Sequence, residues 1–459
     1  MTINLSGTPT ALLDPLAVEA LRRRMTGAVL MAGETGYNTA RRLANRRFDY
    51  RPALIARCRS AQDVALAVTF ARDQGLEIAI RSGGHSVAGH SAGHGVLMID
   101  LAQMNQIAID PALRVARVGP GATNGELVLA AQQHGLATTT GTCATVGMGG
   151  STLGGGIGWL IGRFGATVDN VLAFELVSAT GELLQASEHE HPELFWALRG
   201  GGGNFGVVTA ITYQLHALGP VLGGPVIFPL AAAAPVLRSY CELTQSAPDE
   251  LIVHAALTAI PDFGPALIVQ PVYSGADLIE GEQLLAPLRA LGPAVDLIAA
   301  RSYADTYMML NPPIPPDASS YDTAYSLCRP SDAALDELLS TALDSPTPLA
   351  VVNIHQVHGA ATRVAPDATA FALREPHYAV ANIAMWVEGS GAAETAWSLE
   401  VQRRMAPFAS DGLYVNFLGD EGEAAVRASY RGNYERLAAV KATYDSENVF
   451  RRNQNISMR

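Results

Sequence analysis

Three histidines crowd into a glycine-rich stretch, RSGGHSVAGHSAGHGVLMIDL, at positions 85, 90 and 94 of a chain that has eleven in 459 residues. Imidazole can ligate a metal, shuttle a proton or act as a nucleophile. A metal site would gain from a helix presenting the rings on one face, but this stretch holds five glycines. No carboxylate lies between the rings to complete a hydrolytic centre. A proton shuttle, a covalent attachment point and a plain loop stay open. Cys143 stands near the start of a second such stretch, GTCATVGMGGSTLGGGIGWLIGRFG, with ten glycines in 25 residues. Glycine lets backbone N–H groups approach a ligand and tolerates positive φ. Successive N–H groups can cradle a phosphate without lysine. Tight packing of the chain against itself is the other use of such a stretch. A third cluster, GGGNFG from Gly201 to Gly206, matches GxGxxG letter for letter. A helical pattern precedes it and a strand pattern follows, the reverse of what a dinucleotide fold needs.

Three shorter stretches carry polar and aromatic groups. In YVNF, Tyr414 and Asn416 flank Val415, which predicts a strand with both on one face. In YAVANIAMW, Tyr378, Asn382 and Trp386 share one parity, and Ala379, Ala381, Ile383 and Met385 share the other. In VVNIH, Asn353 and His355 share a face. A polar-aromatic sheet face suits a sugar or a polycyclic alcohol. A solvent-bathed face has the same pattern.

The elements that must hold these groups are written in ordinary helix and strand grammar. SAQDVALAVTFARDQG starts with Ser60 and Asp63 in capping-box spacing, carries Val64, Ala67, Val68 and Ala71 on one face, and stops at Gly75. LEIAI and VLMIDL read as buried strands on either side of the histidine loop. TNGELVLAAQQHG repeats the helix grammar, with Thr123 and Glu126 at its start and Gly135 at its end. DNVLAFELVSATGELLQAS reads as a hairpin turning at Thr180 and Gly181. HPELFWALRG is a short helix and GVVTAITYQL a strand. Near Leu218 the loops become proline-rich, and an α+β unit follows.

Length predicts two or three domains. Half the residues are apolar (49%) and 16% are charged, a globular composition. Net charge is −12 with no basic stripe, which speaks against nucleic acid. The four cysteines, Cys58, Cys143, Cys241 and Cys328, form no CxxC pair, so neither a disulfide framework nor a zinc knuckle is expected. MTINLSGTPTALLDPLAVEALRRRMTG lacks a basic start followed by an apolar run, and no stretch approaches a membrane span. A cytoplasmic protein, monomeric or weakly dimeric, is the expectation.

Four stretches in one order carry a resemblance: RSGGHS, GTCATVGMGGSTLGGGIGW, HPELFWALRGGGGNFGVVT and YDSENVFRRNQNI. Together they resemble the berberine-bridge-enzyme-like oxidoreductases of the vanillyl-alcohol-oxidase group of flavoproteins. The resemblance covers both chain ends and is thin in the middle. It implies an α+β fold: a flavin domain of two α/β parts, from residues 1–220 and 406–459, and an inserted substrate domain, 221–405, whose antiparallel sheet roofs the isoalloxazine.

The resemblance implies FAD joined to His85 through its 8α carbon and to Cys143 through C6 and sulfur. Imidazole nitrogen and thiolate are suited to adding to an electron-poor ring. Around His85 it places Arg81, Ser82, Gly83, Gly84, Ser86 and His90 at the cofactor. Around Cys143 it places Gly141, Thr142, Val146, Gly147 and Gly150, then Gly154, Gly155, Gly156 and Gly158. Gly206, Val208, Asn416 and Asn453 complete the set. A small residue at Val146 goes with O2 as acceptor. Ser151 stands where some doubly linked members have a histidine, a departure from the pattern. The implied activity is oxidation of a secondary alcohol, a sugar or glycosylated natural product, by hydride transfer to flavin N5, with O2 reduced to H2O2. The resemblance implies Tyr414 as the base, and the strand alternation adds Tyr378 as the second candidate and Asn353, His355, Asn382 and Trp386 as substrate contacts. An amine or alkaloid oxidase, which needs no strong base, and a dehydrogenase with another acceptor are the other readings. No metal is implied.

Overall fold

The structure, a computed structural model, describes residues 13–311 and 314–458. Part of the leader reading falls on residues 1–12, outside the described residues. Among the described residues three larger sheets, with a two-stranded one between Leu136–Ala137 and His216–Ala217, divide the molecule. The first has strands Val29–Leu30, Leu54–Arg57, Leu97–Asp100 and Ile78–Arg81 in that order. Its three longer strands are parallel. The helix Ala61–Asp73 covers it, burying Val64, Ala67, Val68 and Ala71 completely. Ser60 caps that helix by accepting from Asp63 N. Asp63 does not close the expected box. Its carboxylate instead accepts from Thr26 N, Thr26 Oγ1, Gly27 N and Arg59 N, which tethers the preceding chain.

The second sheet is antiparallel, with strands Ile107–Asp110, Val115–Val118, Val207–Gln214, Val171–Val177 and Leu183–Ser187 in order. The last two form the predicted hairpin, closed by Ser178 N donating to Glu182 O. The helix Asn124–Gln132 has a complete capping box between Thr123 and Glu126. Helices Glu423–Tyr430 and Tyr434–Tyr444 pack against this sheet, where Tyr430, Tyr434 and Leu437 share a core with Trp196 and Phe205.

The third sheet has nine antiparallel strands. At one edge, His377–Trp386 lies between Val351–Val357 and Ser319–Leu327, and Leu251–Ile260 follows Val351–Val357. Helices Ala233–Gln245, Asp332–Leu343 and Ala392–Met405 cover one face, meeting Val352, Ile354, Tyr378, Val380 and Ala384. The opposite face meets the glycine-rich segments, with Ile252, Val357 and Ala379 packed against Trp159, Ile161 and Tyr414. The buried pair Arg374–Asp169 joins the units bidentately, at 2.7 and 2.8 Å. Among the described residues no helix is long and apolar enough to cross a membrane.

Candidate active site

The histidine loop and the cysteine loop touch through glycine. A Cβ on Gly83 would stand 2.4 Å from Gly147 N, and one on Gly147 would stand 2.1 Å from Ser82 Oγ. Only bare backbone lets the loops approach this closely. The contact brings His85 and Cys143 onto one hydroxyl. Thr145 Oγ1 lies 3.2 Å from His85 Nε2 and 3.5 Å from Cys143 Sγ. Burial holds His85 below the ordinary histidine range, so its ring is neutral near pH 7.

Each loop is braced from behind. Ser82 Oγ donates to Pro120 O at 2.5 Å, Arg81 donates to Ala40 O, and Gly84 O accepts from Ala44 N. Ser86 Oγ accepts from His90 N at 3.1 Å. Burial, and then the Arg452 charge, push His90 down to about 4. His94 is exposed and accepts from Arg51 N. On the cysteine side, Asn124 Nδ2 donates to Cys143 O at 2.9 Å and Asn124 N to Val146 O. Asn311 Oδ1 accepts from Ala144 N at 2.6 Å, and Tyr307 OH donates to Gly141 O at 2.7 Å. Thr142 is partly exposed between them.

The glycines farther along serve packing more than a ligand nest. A Cβ on Gly154 would meet Asn416, on Gly155 Phe371, on Gly156 Thr167 and on Gly158 Thr140 O, all within 2.5 Å. The Gly156 N–H is taken by Tyr414 OH. Gly150 and Gly203, by contrast, have open space where a side chain would be. Gly206 packs on Val177 O, and Val208 is core on the second sheet. GGGNFG is a joint for the C-terminal segment. Asn453 Nδ2 donates to Gly203 O and Asn204 Nδ2 to Gln454 O.

Tyr414 departs from its expected place. YVNF forms a 3-10 turn, Val415–Phe417, and not a strand. The Tyr414 hydroxyl is buried and accepts from Gly156 N at 2.9 Å and Asn416 Nδ2 at 2.8 Å. Asn416 also donates to Ser151 O. Burial raises Tyr414 above its ordinary range. This tyrosine pins the glycine segment. Phe417 lies nearer the sheet, 5.5 Å from the His355 ring.

Tyr378, Asn382 and Trp386 also need correction. Their parity lies on the helix-covered face. Tyr378 OH shares a 2.5 Å hydrogen bond with Thr244 Oγ1, and Asn382 donates to Thr323 Oγ1 at 3.2 Å. The opposite parity, with the small Ala379 and Ala381, faces the glycine segments. Asn353 and His355 lie on that face and are partly open, whereas Val352 and Ile354 are buried among the helices.

Two groups on the same face, His254 and Asp322, escaped the sequence reading. His254 sits beside His355, ring centroids 5.0 Å apart, and 4.4 Å from Trp159. Its Nδ1 accepts from Gln356 N, so the neutral ring carries its proton on Nε2. Burial presses His254 well below the ordinary range and His355 to about 4. Asp322 stands opposite Ile383 on the edge strand. Burial raises its carboxyl to about 6 against the pull of the Ser320 hydroxyl and Arg47. His254 Nε2, His355 Nδ1 and Asp322 Oδ1 are buried atoms with no hydrogen-bond partner. All three lie on the sheet face that meets the glycine-rich segments, where a buried polar atom without a partner can take one from a ligand. An acidic residue inside the alternation SSYDTAYSL was the available signal.

Residues 52–187 match the family model described as FAD binding domain, and residues 413–457 the one described as Berberine and berberine like. The chain is 34% identical to (R)-6-hydroxynicotine oxidase of Paenarthrobacter nicotinovorans over 97% of this chain and 98% of that protein. It is 34% identical to xylooligosaccharide oxidase of Thermothelomyces thermophilus over 48% of this chain and 46% of that one. The solved 6-hydroxy-D-nicotine oxidase from Arthrobacter nicotinovorans superposes with a TM-score of 0.87 at 31% identity, covering 95% of this chain and 98% of its own.

Proposed function

This chain belongs to the berberine-like family of FAD-linked oxidases, and from that premise we propose that it oxidises a cyclic amine, with FAD held covalently by both His85 and Cys143. The donor set fits the cofactor. Two nucleophiles on adjoining loops share one hydroxyl, and Gly150 and Gly203 have open space where a side chain would be. Bound FAD supplies a two-electron acceptor for hydride, which O2 regenerates with release of H2O2. The observation that carries the amine reading is the disposition of the tyrosines. Both hydroxyls expected to deprotonate an alcohol are committed elsewhere, Tyr414 to Gly156 and Asn416, and Tyr378 to Thr244. An amine needs no strong base, because its own lone pair drives hydride from the neighbouring carbon. Asp322 takes the substrate's ammonium proton, and the neutral rings of His254 and His355 shape the cleft. The relative that acts on 6-hydroxynicotine, itself a cyclic amine, fits this class. Val146, in the cysteine loop, is the small residue that the family resemblance associates with O2 as acceptor.

One observation favours the alcohol reading: His355 Nδ1 is unpaired on the cleft face and could accept a hydroxyl proton. A screen for H2O2 release over cyclic amines and over sugars and glycosylated polyketides separates the two. Turnover confined to the alcohols overturns the amine reading. For the cofactor, acid precipitation leaves the yellow colour in the pellet of the wild type and, after prolonged expression, of His85→Ala and of Cys143→Ala. The double variant loses it.

A further inference from the structure

We propose that the Thr145 hydroxyl is a proton relay between His85 and Cys143, and that it makes attachment at the histidine the precondition for fast attachment at the cysteine. This rests on the reading above that both side chains bind the flavin. The geometry is specific to this one hydroxyl. It touches both nucleophiles, at 3.2 and 3.5 Å, and a hydroxyl can accept from one group while donating to another. The Thr145 carbonyl also accepts from the His85 ring. The relay assigns the ring proton to Nε2, against the Thr145 hydroxyl, and the lone pair to Nδ1.

In the first attachment a bond forms between His85 Nδ1 and the 8α carbon, and a C–H bond of that methyl group breaks. The Nε2 proton leaves through Thr145 Oγ1. Two electrons and two protons in all pass to O2, giving H2O2. Nε2 now holds a lone pair and no proton. Thr145 turns to donate to it and to accept from the Cys143 thiol. In the second attachment a bond forms between Cys143 Sγ and C6, and the C6–H bond breaks. The thiol proton travels through Thr145 to Nε2 and on to solvent, the C6 proton leaves to solvent as well, and a second O2 takes up the two electrons with two protons, giving H2O2. Before the first attachment Nε2 already carries a proton and cannot receive the one from sulfur. The order of the two links follows from this.

The test uses full-length apo-protein from riboflavin-starved cells, mixed with FAD in air and quenched in acid over time. Tryptic digestion and iodoacetamide report the state of each side chain. In the wild type the histidine peptide gains flavin first and the cysteine then joins it. Thr145→Val keeps the β-branched shape but has no hydroxyl. It should link at His85 while Cys143 stays open to iodoacetamide, the second step slowing by about a hundredfold or more. Thr145→Ser should restore it. Thr145→Val linking both residues at the wild-type rate overturns the relay, as does cysteine attachment preceding histidine in the wild type. If Thr145→Val takes up no FAD, the wild type's second step decides through its solvent deuterium effect: about twofold or more supports the relay, and none overturns it. A wild type with no peptide-bound flavin defeats the covalent reading instead, and the same digest shows it.

Discussion

Removing single groups separates chemistry from scaffolding. Tyr414→Phe deletes the acceptor for two buried donors, Gly156 N and Asn416 Nδ2. The expected loss is about 1–3 kcal/mol of stability, seen as a lower Tm, with kcat/KM within about tenfold of the wild type. Were Tyr414 the base, kcat/KM would fall by about 10²–10⁴ with the fold intact. Asp322→Asn should do the opposite. It should cost little in Tm, since the amide still offers the Ser320 hydroxyl a partner, and lowers kcat/KM for an amine tenfold or more. The acid limb near pH 6 should vanish with the carboxylate that titrates there. An unchanged pH profile would remove Asp322 from the reaction. The sequence singles out His85 and Cys143 as candidates because their chemistry is rare and their loops glycine-rich. Asp322 and His254 were not, because what singles them out is an unpaired buried atom, and pairing is a property of the folded chain.

Elements were readable where local physics decides them. The helices Ala61–Asp73 and Asn124–Gln132 follow from their caps and apolar stripes, and the Thr180–Gly181 hairpin from its turn. YVNF failed because three residues cannot distinguish a strand from a 3-10 turn. The strand His377–Trp386 was recognised, but alternation yields two faces without saying which one meets the cofactor. The polar-aromatic side looked functional, yet it is the one the helices bury. The alanine side faces the glycine-rich segments, with Ala379 in one core with Trp159 and Tyr414. The glycines divide the same way. Gly147→Ala drives a methyl group into Ser82 Oγ and Gly83 N, so the loops must part and the Thr145 bridge with them. Acid-stable colour should drop sharply. Gly150→Ala meets no atom within 4 Å and lies in a helix, so the apo-protein should keep or gain up to about 1 kcal/mol. Equal damage from both would mean the loop contact is incidental.

The whole molecule is fastened by buried charges and buried neutral imidazoles, and the two respond to acid together. Lys441 Nζ donates to Asn204 O, Asp445 Oδ2 and Phe450 O with no exposure, locking the C-terminal segment to the glycine joint. Lys441→Met strands the Asp445 carboxylate and should cost about 3–5 kcal/mol. His90, His254 and His355 lie below the ordinary histidine value mainly through burial, His90 and His355 at about 4. Between about 4 and 6.5 the unfolded chain therefore binds more protons than the folded one. Stability must fall as pH drops through that window and level off above about 7. Each of the two could contribute up to about 3 kcal/mol, less what partial exposure screens. Asp63 loses stability in the same direction at lower pH. Burial raises its carboxyl, but the hydrogen bonds from Arg59, Thr26 and Gly27 outweigh that and hold it below the ordinary range. Thermal melts of His355→Asn and wild type at pH 4.5 and 7.5 isolate the cleft's share. The variant should lose clearly less Tm on acidification, because it has no imidazole to charge. The same difference in both proteins would mean that His355 titrates normally and that the cleft is wet.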